Sequence, residues 1–293
     1  QAYIRQQPGW VSVTPVEHQQ LSDSNYLNLE LLNDDDRNYL LSEVELPEAG
    51  ILTLENAIFS VRGLVYSEDM TRRYLELTRF SDVDRAVACP VESLVYNNIK
   101  FVTSCKDNVE YVPGTCLNLL PLFANSNYCH SLLDVGVMLD LLERANINIA
   151  DFDSVIVPEN EFTLTNNFYV RAGIKKSQMI HGSFLFNEKT GVIPRENGFF
   201  FESLTNPSFN GYASFYKRGS FDLLRRTFQD KMDHTPRGRK IYLSRENTGR
   251  DISNTNEVED LLTRYGFETL HASKQSDLPR LMSQASVVLG AHG

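Results

Sequence analysis

The stretch of sequence that decides the fold runs from Lys240 to Gly290 and reads KIYLSRENTGRDISNTNEVEDLLTRYGFETLHASKQSDLPRLMSQASVVLG. Three short runs rich in β-forming residues, at 240–245, 267–271 and 286–290, alternate with two amphipathic runs. Strand, helix, strand, helix, strand at this spacing is typical of one half of a doubly wound parallel sheet. We therefore expect the tail of the chain to fold as a Rossmann-like α/β unit.

The two amphipathic runs carry start and stop signals for helices. Asn254 and Glu257 have the spacing of a capping box, and Gly266 follows the last periodic position of the first run. Ser276 precedes the second run and is a residue type that caps helices. The crossover helices are therefore expected to begin near Thr255 and Ser276, with the three strands in one parallel sheet.

The chain before this tail changes character twice. Residues 1–48 are polar, and we expect an irregular segment. Residues 50–112 contain short β-like runs broken by glycine, which predict an extended, partly antiparallel region. A largely buried helix over 128–145 and a short buried strand over 154–158 follow. The predicted organisation is an irregular N-terminal segment (1–48), an N-terminal lobe with a β-rich and a Rossmann-like part (49–234), and a partial C-terminal Rossmann-like lobe (235–293).

The last predicted strand stands close to the end of the sequence. Only Ala291, His292 and Gly293 follow Gly290. A parallel strand needs a crossover connection to its next neighbour. We therefore expect the natural protein to continue, so that the C-terminal lobe is truncated here.

Composition excludes several classes of protein. Of 293 residues, 42% are hydrophobic and 23% are charged, which argues against a disordered chain, a collagen or a coiled coil. The net charge is −10 and no block of five basic residues occurs, so we expect no nucleic-acid partner. The longest apolar runs, such as 51–54 and 287–289, are far shorter than the roughly 18 residues of a membrane helix. We therefore expect no integral membrane segment in this chain.

The four cysteines do not form a recognisable metal or disulfide framework. They are Cys89, Cys105, Cys116 and Cys129, and none belongs to a CxxC pair. Buried free thiols are the expectation, with a single disulfide, for example Cys105 to Cys116, as the alternative.

One candidate for a general base stands at the start of the predicted buried helix. His130 and Asp134 are four residues apart and so share a face of an α-helix. A carboxylate beside an imidazole fixes its tautomer and raises its basicity, as general base catalysis requires. The alternative is a partly buried histidine that is merely satisfied by its neighbour.

The candidate anion site lies at the carboxyl edge of the predicted parallel sheet. Arg245 ends the first strand, Arg250 follows in the loop, and His292 and Gly293 come after the third strand. Open α/β sheets bind ligands at that edge, and an arginine there can hold phosphate oxygens in bidentate fashion. The alternative is a pair of solvated loop arginines.

A metal site is not expected. Two DxD pairs occur, Asp82 with Asp84 and Asp151 with Asp153. The second pair precedes the predicted strand at 154–158 and therefore lies at the wrong edge of the sheet for a working metal site. No GxGxxG fingerprint follows any predicted strand, which disfavours a dinucleotide-dependent enzyme such as a sugar-nucleotide epimerase.

Several of these motifs, taken together and in order, resemble one family. The stretch 127–134 (NYCHSLLD) is similar to the NYxHWLLD-type motif of glycosyltransferase family 61. The residues IYLSR at 241–245, then Arg250, then Asn256 and Glu257, resemble a second block of that family. The stretches YGFE at 265–268 and VVLGAHG at 287–293 resemble a third block of that family. The resemblance covers about residues 125–293. The sequence departs from the family pattern at Ser131, where an aromatic residue is usual. It also lacks the residues AGLTN that follow HG in the family pattern HGAGLTN.

The resemblance implies a GT-B architecture, with two Rossmann-like lobes facing a cleft. It implies transfer of a sugar such as xylose or N-acetylglucosamine from a UDP-sugar with inversion. Arg245 and Arg250 would face the nucleotide phosphates, and Asn256 and Glu257 belong to the same donor block. His292 and Gly293 would start the donor loop. His130 and Asp134 would approach the acceptor hydroxyl from the opposite lobe.

The leading hypothesis is therefore an inverting glycosyltransferase that uses a nucleotide-sugar donor and a hydroxyl of a glycan or glycoprotein acceptor. Arginines and a helix N-terminus can stabilise a departing diphosphate, so we expect no metal cofactor to be required. The alternative is a glycan- or nucleotide-binding protein of the same fold that has lost catalysis. Acidic composition without an anchor favours a cytoplasmic microbial or viral enzyme; a secretory-pathway lumen is the alternative if an anchor has been removed.

Overall fold

A computed structural model describes the chain over residues 2–3, 8–15, 17–20, 29–34, 37, 43–46, 48–60, 65–66, 73–75, 110–120, 130–159, 163–181, 184–187, 190–195, 218–233, 238–244, 252–275 and 277–291. Several predicted site residues lie outside these ranges, namely Arg245, Arg250, His292, Gly293 and the pair Asp82 and Asp84. The backbone of His130 is described, but its side chain is not.

The secondary structure alternates between strands and helices in the second half of the chain. The described strands are β1 (Ala2–Tyr3), β2 (Trp10–Thr14), β3 (Glu17–Gln20), β4 (Glu43–Leu46), β5 (Ala49–Leu54), β6 (Ile58–Ser60), β7 (Val65–Tyr66), β8 (Arg73–Leu75), β9 (Glu110–Val112), β10 (Thr115–Asn118), β11 (Ser154–Ile156), β12 (Met179–Ile180), β13 (Phe184–Asn187), β14 (Thr190–Arg195), β15 (Arg239–Ser244), β16 (Phe267–His271) and β17 (Ala285–Gly290). The described α-helices are α1 (Val135–Arg144), α2 (Thr163–Arg171), α3 (Arg218–Thr227), α4 (Thr255–Arg264) and α5 (Leu278–Ser283). A π-helical turn at His130–Asp134 precedes α1, and short 3₁₀ turns occur at Leu29–Leu31, Ile149–Asp151, Gln229–Lys231 and Ala272–Lys274.

The chain divides into two compact units, Gln1–Leu224 and Arg225–Gly293. The boundary falls inside α3, whereas the sequence analysis placed it between residues 234 and 235. Among the described helices, none combines the length and the hydropathy that a bilayer crossing requires.

The main sheet of the first unit is mixed. Its described strands follow the order β12-β11-β10-β14-β5-β2. The strands β12, β11, β10 and β14 are parallel, whereas β5 pairs antiparallel with both β14 and β2. α1 connects β10 to β11 and α2 connects β11 to β12, while β14 lies on the other side of β10. A first strand flanked in this way gives the strand order 3-2-1-4 that occurs in doubly wound sheets, but here the fourth strand is reached through β13 and not through a helix. The predicted α/β class is therefore confirmed.

The predicted buried helix is confirmed from residue 130 onward. Every residue of α1 from Val135 to Leu142 is buried, which explains the near absence of polar positions in this run. The fully buried side chains of the first unit include large ones from both α2 and β10, such as Phe168, Tyr169 and Leu117. Burying a side chain of this size stabilises the fold by about 1.5–3 kcal/mol.

Within the described part of residues 50–112, the second sheet of the first unit confirms the expected extended, partly antiparallel region. Its described strands follow the order β1-β8-β7-β6-β13-β9. β6, β7 and β8 form an antiparallel meander, and β13 pairs antiparallel with β6 but parallel with β9.

The expectation that residues 1–48 are irregular is wrong. This segment contains β1 to β4, and β2 pairs antiparallel with β5 in the main sheet. Trp10 closes the pair by donating from Nε1 to the carboxylate of Glu48 at 2.8 Å. The strand itself is rich in β-forming residues, but the polar residues around it dominate the composition of residues 1–48 and hide this short run.

Cys116 is a free thiol, so the alternative of a Cys105–Cys116 disulfide is wrong. The side chain is fully buried in the cluster that β10 shares with Leu52, Phe59 and Ile156. Burial raises the pKa of Cys116 to about 11. A thiol protonated at neutral pH is a poor nucleophile, which makes Cys116 a packing residue. The other three cysteines lie outside the described residues.

The second unit confirms the fold predicted for the tail. Its described strands follow the order β16-β15-β17, and both pairings are parallel. α4 begins at Thr255, as predicted, and ends before Gly266, which has a φ of +79°. α5 begins at Leu278, slightly later than expected, because Pro279 occupies a first-turn position that suits a residue without an N–H. Ser276 lies outside the described residues.

The capping box predicted at the start of α4 is not formed. The Asn254 side chain makes no cap hydrogen bond to the helix backbone. Instead its Nδ2 donates to Oε2 of Glu257 at 3.3 Å, so the two predicted partners bind each other. Thr255 Oγ1 donates to the carbonyl of Ile252 at 2.6 Å and tightens the turn that leads into the helix.

Gly114→Ala is expected to destabilise the first unit by about 2–4 kcal/mol, the sum of a positive-φ penalty and lost hydrogen bonds to a carboxylate. Gly114 has a φ of +85°, and a Cβ there would collide with the Asp153 carboxylate. That carboxylate accepts from the backbone N–H of Thr115 at 2.8 Å and from its hydroxyl at 3.0 Å. Equilibrium unfolding in urea measures the effect.

Gly173→Ala is the matched control for this prediction. Gly173 also has a positive φ, of +100°, but a Cβ there meets nothing within 4 Å. The free energy of unfolding of the Gly173→Ala variant should therefore fall only by the positive-φ penalty, about 1–2 kcal/mol. Equal losses in the two variants would show that the Asp153 contact contributes nothing.

Candidate functional site

The first unit places a candidate site at the carboxyl end of β10. Neighbouring strands β11 and β14 lie on opposite sides of β10, so the strand order reverses beside it. Ligands of open α/β sheets bind outside the carboxyl ends of the strands at such a switch point. The chain leaves β10 at this edge and enters the π-helical turn at His130–Asp134, so that turn begins where a ligand is expected.

The π-helical turn changes the relation between His130 and Asp134. They are its first and last residues, and Asp134 is half-buried. A π-helix bonds residue i to i+5 and is wider than an α-helix, so the i, i+4 alignment assumed from sequence does not hold unchanged. Single π-turns inside α-helices are rare and occur frequently at functional sites. The backbone irregularity therefore coincides with the residues singled out as a candidate base and its partner.

Helix α2 holds this turn in place through buried polar contacts. The Tyr169 hydroxyl donates to the backbone carbonyl of Ser131 at 2.8 Å. The hydroxyls of Ser131 and Thr165 lie 3.4 Å apart, and both residues are fully buried. These contacts tie the start of α1 to the next crossover helix, so the turn cannot shift without opening the core.

Ser131 faces the interior and not a ligand. Its exposed fraction is 0%, beside the fully buried ring of Tyr169. A small side chain at 131 leaves room for that ring against the turn. The departure from the family motif at this position is therefore a packing difference, and a direct contact of residue 131 with an acceptor is not expected.

His181 is a candidate that sequence reasoning missed. It follows β12, whose last residue Ile180 is in register with Ile156 and, through it, with Asn118. With strands about 4.8 Å apart, it follows that His181 lies at the same sheet edge about 10 Å from the end of β10.

The hydrogen bonding of His181 fixes its tautomer. Its Nδ1 lies 3.2 Å from the carbonyl oxygen of Val157, and a carbonyl can only accept. Nδ1 therefore carries the hydrogen, which leaves the lone pair on Nε2 of an exposed ring. An imidazole held in this way can accept a proton. The signal that could have found it is its position directly after a short run of β-forming residues, which the structure shows as β12.

The DxD pair Asp151 and Asp153 has a structural role. Asp153 lies at the amino end of β11 and binds the amino end of β10 through Thr115. Asp151 ends a 3₁₀ turn that is capped by Asn148, whose Oδ1 accepts from the N–H of Ala150 at 3.0 Å. Both carboxylates therefore lie at the amino edge of the sheet, away from the switch point.

The second unit has its own switch point between β15 and β17. Leu243 and Gly290 are register partners at the carboxyl ends of these strands. Arg245 is the next residue after β15, and Ala291 the next after β17. Topology alone thus brings the start of the arginine-bearing segment (residues 245–251) and the start of the His292–Gly293 segment to the same edge of one sheet. The side chains of Arg245, Arg250 and His292 are not described.

In sequence, the N-terminus of α4 comes shortly after the arginine-bearing segment. Asn256 and Glu257 occupy its first turn and are exposed. The positive end of the helix dipole stabilises the negative charge of Glu257 and favours anions nearby. Glu257 accepts from Asn254, and a carboxylate oxygen can also accept from ligand hydroxyls.

Gly290 leaves space at the switch point. A Cβ at this position would make only ordinary contact with Leu243, at 3.6 Å, so packing within the described residues does not require glycine. A glycine at the carboxyl end of a parallel strand lets a ligand phosphate approach the backbone closely. The carboxyl end of β17 therefore leaves room for a ligand close to the backbone.

Comparison with known proteins adds one positive finding. A family model described as Glycosyltransferase 61 matches residues 128–293, more than half of the chain. The matched region begins just before the π-helical turn and includes the whole of the second unit. No curated protein matches the chain.

Proposed function

Because the chain belongs to glycosyltransferase family 61 and is a glycosyltransferase, we propose that it moves a sugar from a UDP-sugar to a hydroxyl of a glycan or glycoprotein, with inversion. The proposed donor sugar is of the xylose or N-acetylglucosamine type. The observation that carries the proposal is the parallel β16-β15-β17 sheet inside the matched region. The switch point of this sheet lies at the carboxyl end of β15, which the arginine-bearing segment follows.

The proposed donor site lies at this switch point of the second unit. Arg245 and Arg250 bind the two phosphates, since guanidinium groups pair with phosphate oxygens in bidentate fashion. The N-terminus of α4 adds N–H groups and a positive dipole end. Asn256 and Glu257 suit the ribose hydroxyls, and His292 and Gly293 start the donor loop. These positive groups neutralise the leaving diphosphate, so the proposal assigns no metal to the reaction.

The proposed base belongs to the first unit. The base removes the proton of the acceptor hydroxyl while its oxygen attacks the anomeric carbon from the side opposite UDP. The new glycosidic C–O bond forms as the bond to the β-phosphate oxygen breaks, and UDP leaves with that electron pair. In-line displacement inverts the anomeric centre. His130 is the proposed base and Asp134 the residue that orients it.

The proposal extends to the GT-B class of glycosyltransferases and to a cytoplasmic location in a microbe or virus. The doubly wound sheet of the first unit and the parallel sheet of the second support the first of these, since GT-B enzymes are built from two Rossmann-like lobes. The acidic composition supports the second.

The test is release of UDP by the full-length protein. UDP-xylose, UDP-N-acetylglucosamine and, as the unrelated donor, GDP-mannose are incubated separately with the enzyme, and the released nucleoside diphosphate is measured. We expect one UDP-sugar to be consumed and UDP to bind saturably in calorimetry. A well-folded protein that neither binds UDP nor releases it from either donor would contradict the proposal.

A further inference from the structure

Asn118 is a buried polar residue at the switch point of the first unit. It is the last residue of β10, and its exposed fraction is 0%. Its Oδ1 accepts from the backbone N–H of Leu120 at 2.9 Å. This bond fixes the orientation of the amide, because a flipped amide would put its NH₂ group against another donor.

The other half of this amide is unsatisfied. Nδ2 of Asn118 is buried and has no hydrogen-bond partner in the part of the chain that the structure describes. Native proteins pair nearly all buried donors, since an unpaired one loses its bonds to water without replacement. Replacing the residue by a leucine-like side chain would remove this cost. A donor kept at the ligand-binding edge of a doubly wound sheet therefore points to a partner that arrives from outside.

The chemistry of the donor indicates the class of that partner. A neutral amide N–H suits a neutral oxygen acceptor such as a sugar hydroxyl or ring oxygen, whereas a diphosphate calls for cationic donors. The nucleotide site proposed above lies on the second unit, so the first unit is left with the acceptor.

We propose that Nδ2 of Asn118 donates a hydrogen bond to a sugar oxygen of the acceptor substrate and so helps to position the attacking hydroxyl. The inference rests on the proposed function. It adds that the acceptor presents a saccharide oxygen at the end of β10, beside the turn that carries His130. Asn118 is a binding residue in this scheme and takes no proton.

The test separates the donor atom from the shape of the side chain. Asn118→Asp keeps the size and the oxygen that accepts from Leu120 but removes the N–H. The probes are p-nitrophenyl glycosides of xylose, glucose, galactose and mannose, and the best acceptor of the four is used. We expect KM for this acceptor to rise about tenfold, the usual worth of one hydrogen bond, with KM for the UDP-sugar unchanged.

The pH dependence of the acceptor KM distinguishes a hydrogen bond to the acceptor from a merely structural role of Asn118. Burial should raise the pKa of the introduced carboxyl group, so that lowering the pH from about 7 to about 5 protonates it and restores an O–H donor. The acceptor KM of the Asn118→Asp variant should therefore approach that of the wild type at acidic pH. A defect that is independent of pH would overturn the assignment.

Two controls keep the inference falsifiable. Ser154→Ala removes another buried polar group, at the amino end of the neighbouring strand, and should leave the acceptor KM unchanged. If Asn118→Asp does not fold, Asn118→Ser and Asn118→Ala leave similar space, and only the serine retains a donor. Equal acceptor KM values for these two variants would overturn the inference, as would an active wild-type enzyme that glycosylates none of the four probes. Loss of all UDP release by the wild type would instead refute the proposed function.

Discussion

Replacing His130 by alanine is expected to lower turnover roughly 10²–10⁴-fold, the usual contribution of a general base. The residue opens the π-helical turn at the carboxyl edge of the first unit's sheet. That turn is anchored by the Tyr169–Ser131 hydrogen bond, so the backbone that carries the imidazole is held firmly. Affinity for the UDP-sugar should survive, since the proposed donor site belongs to the second unit. Single-turnover transfer and UDP calorimetry measure the two quantities separately.

Two comparison variants decide which group is the base. Asp134→Asn should cost less than His130→Ala if the aspartate only orients the imidazole, and the opposite ranking would assign the base to Asp134. His181→Ala is the matched histidine control, because His181 stands at the same sheet edge with its tautomer already fixed by Val157. A full loss of turnover in His181→Ala with an active His130→Ala variant would move the base to His181. If all three variants remain active, Glu257 is the next candidate.

The fold of the tail could be predicted because its signals are local. The periodic run of α4, the stop at Gly266 and the β-rich runs on either side depend on neighbours in sequence, and the structure forms each of them. Parallel pairing followed from the crossover helices alone. The capping box could not be predicted as reliably, because whether Asn254 bonds the backbone or Glu257 depends on loop conformation.

The first unit was harder to predict because its pairings are distant in sequence. β2 is short and lies among polar residues, and it joins the main sheet through its pairing with β5, nearly forty residues later. The position of β14 beside β10, which creates the switch point, cannot be derived from periodicity. Asn118 and His181 were therefore overlooked as site residues, although each stands at the end of a parallel strand. The π-helical turn was missed because its residues also fit an α-helical pattern.

Arg245→Ala in the full-length protein is expected to weaken UDP binding by about 1.5–3 kcal/mol, the range for a hydrogen bond to a charged group, or about 10- to 150-fold in Kd. Arg245 directly follows the central strand of the second unit at its switch point with β17. A nucleotide bound there presents its diphosphate to the first group beyond the strand. Calorimetry with UDP measures the loss, and circular dichroism checks the fold.

Arg239→Ala is the matched control, since Arg239 stands at the opposite end of the same strand. Its guanidinium binds the Glu268 carboxylate on β16, from Nε at 3.0 Å, and this bond is the main cause that lowers the pKa of Glu268. Losing this exposed pair should cost at most about 1 kcal/mol of stability and leave UDP affinity unchanged. Because the pKa of Glu268 is lowered on folding, the pair stabilises the fold above the carboxyl's ordinary pKa and loses its effect as the pH falls.

An unchanged UDP affinity in Arg245→Ala would remove Arg245 from the donor site. An equal loss of affinity in both variants would show that the effect follows net charge and not contact with the phosphates.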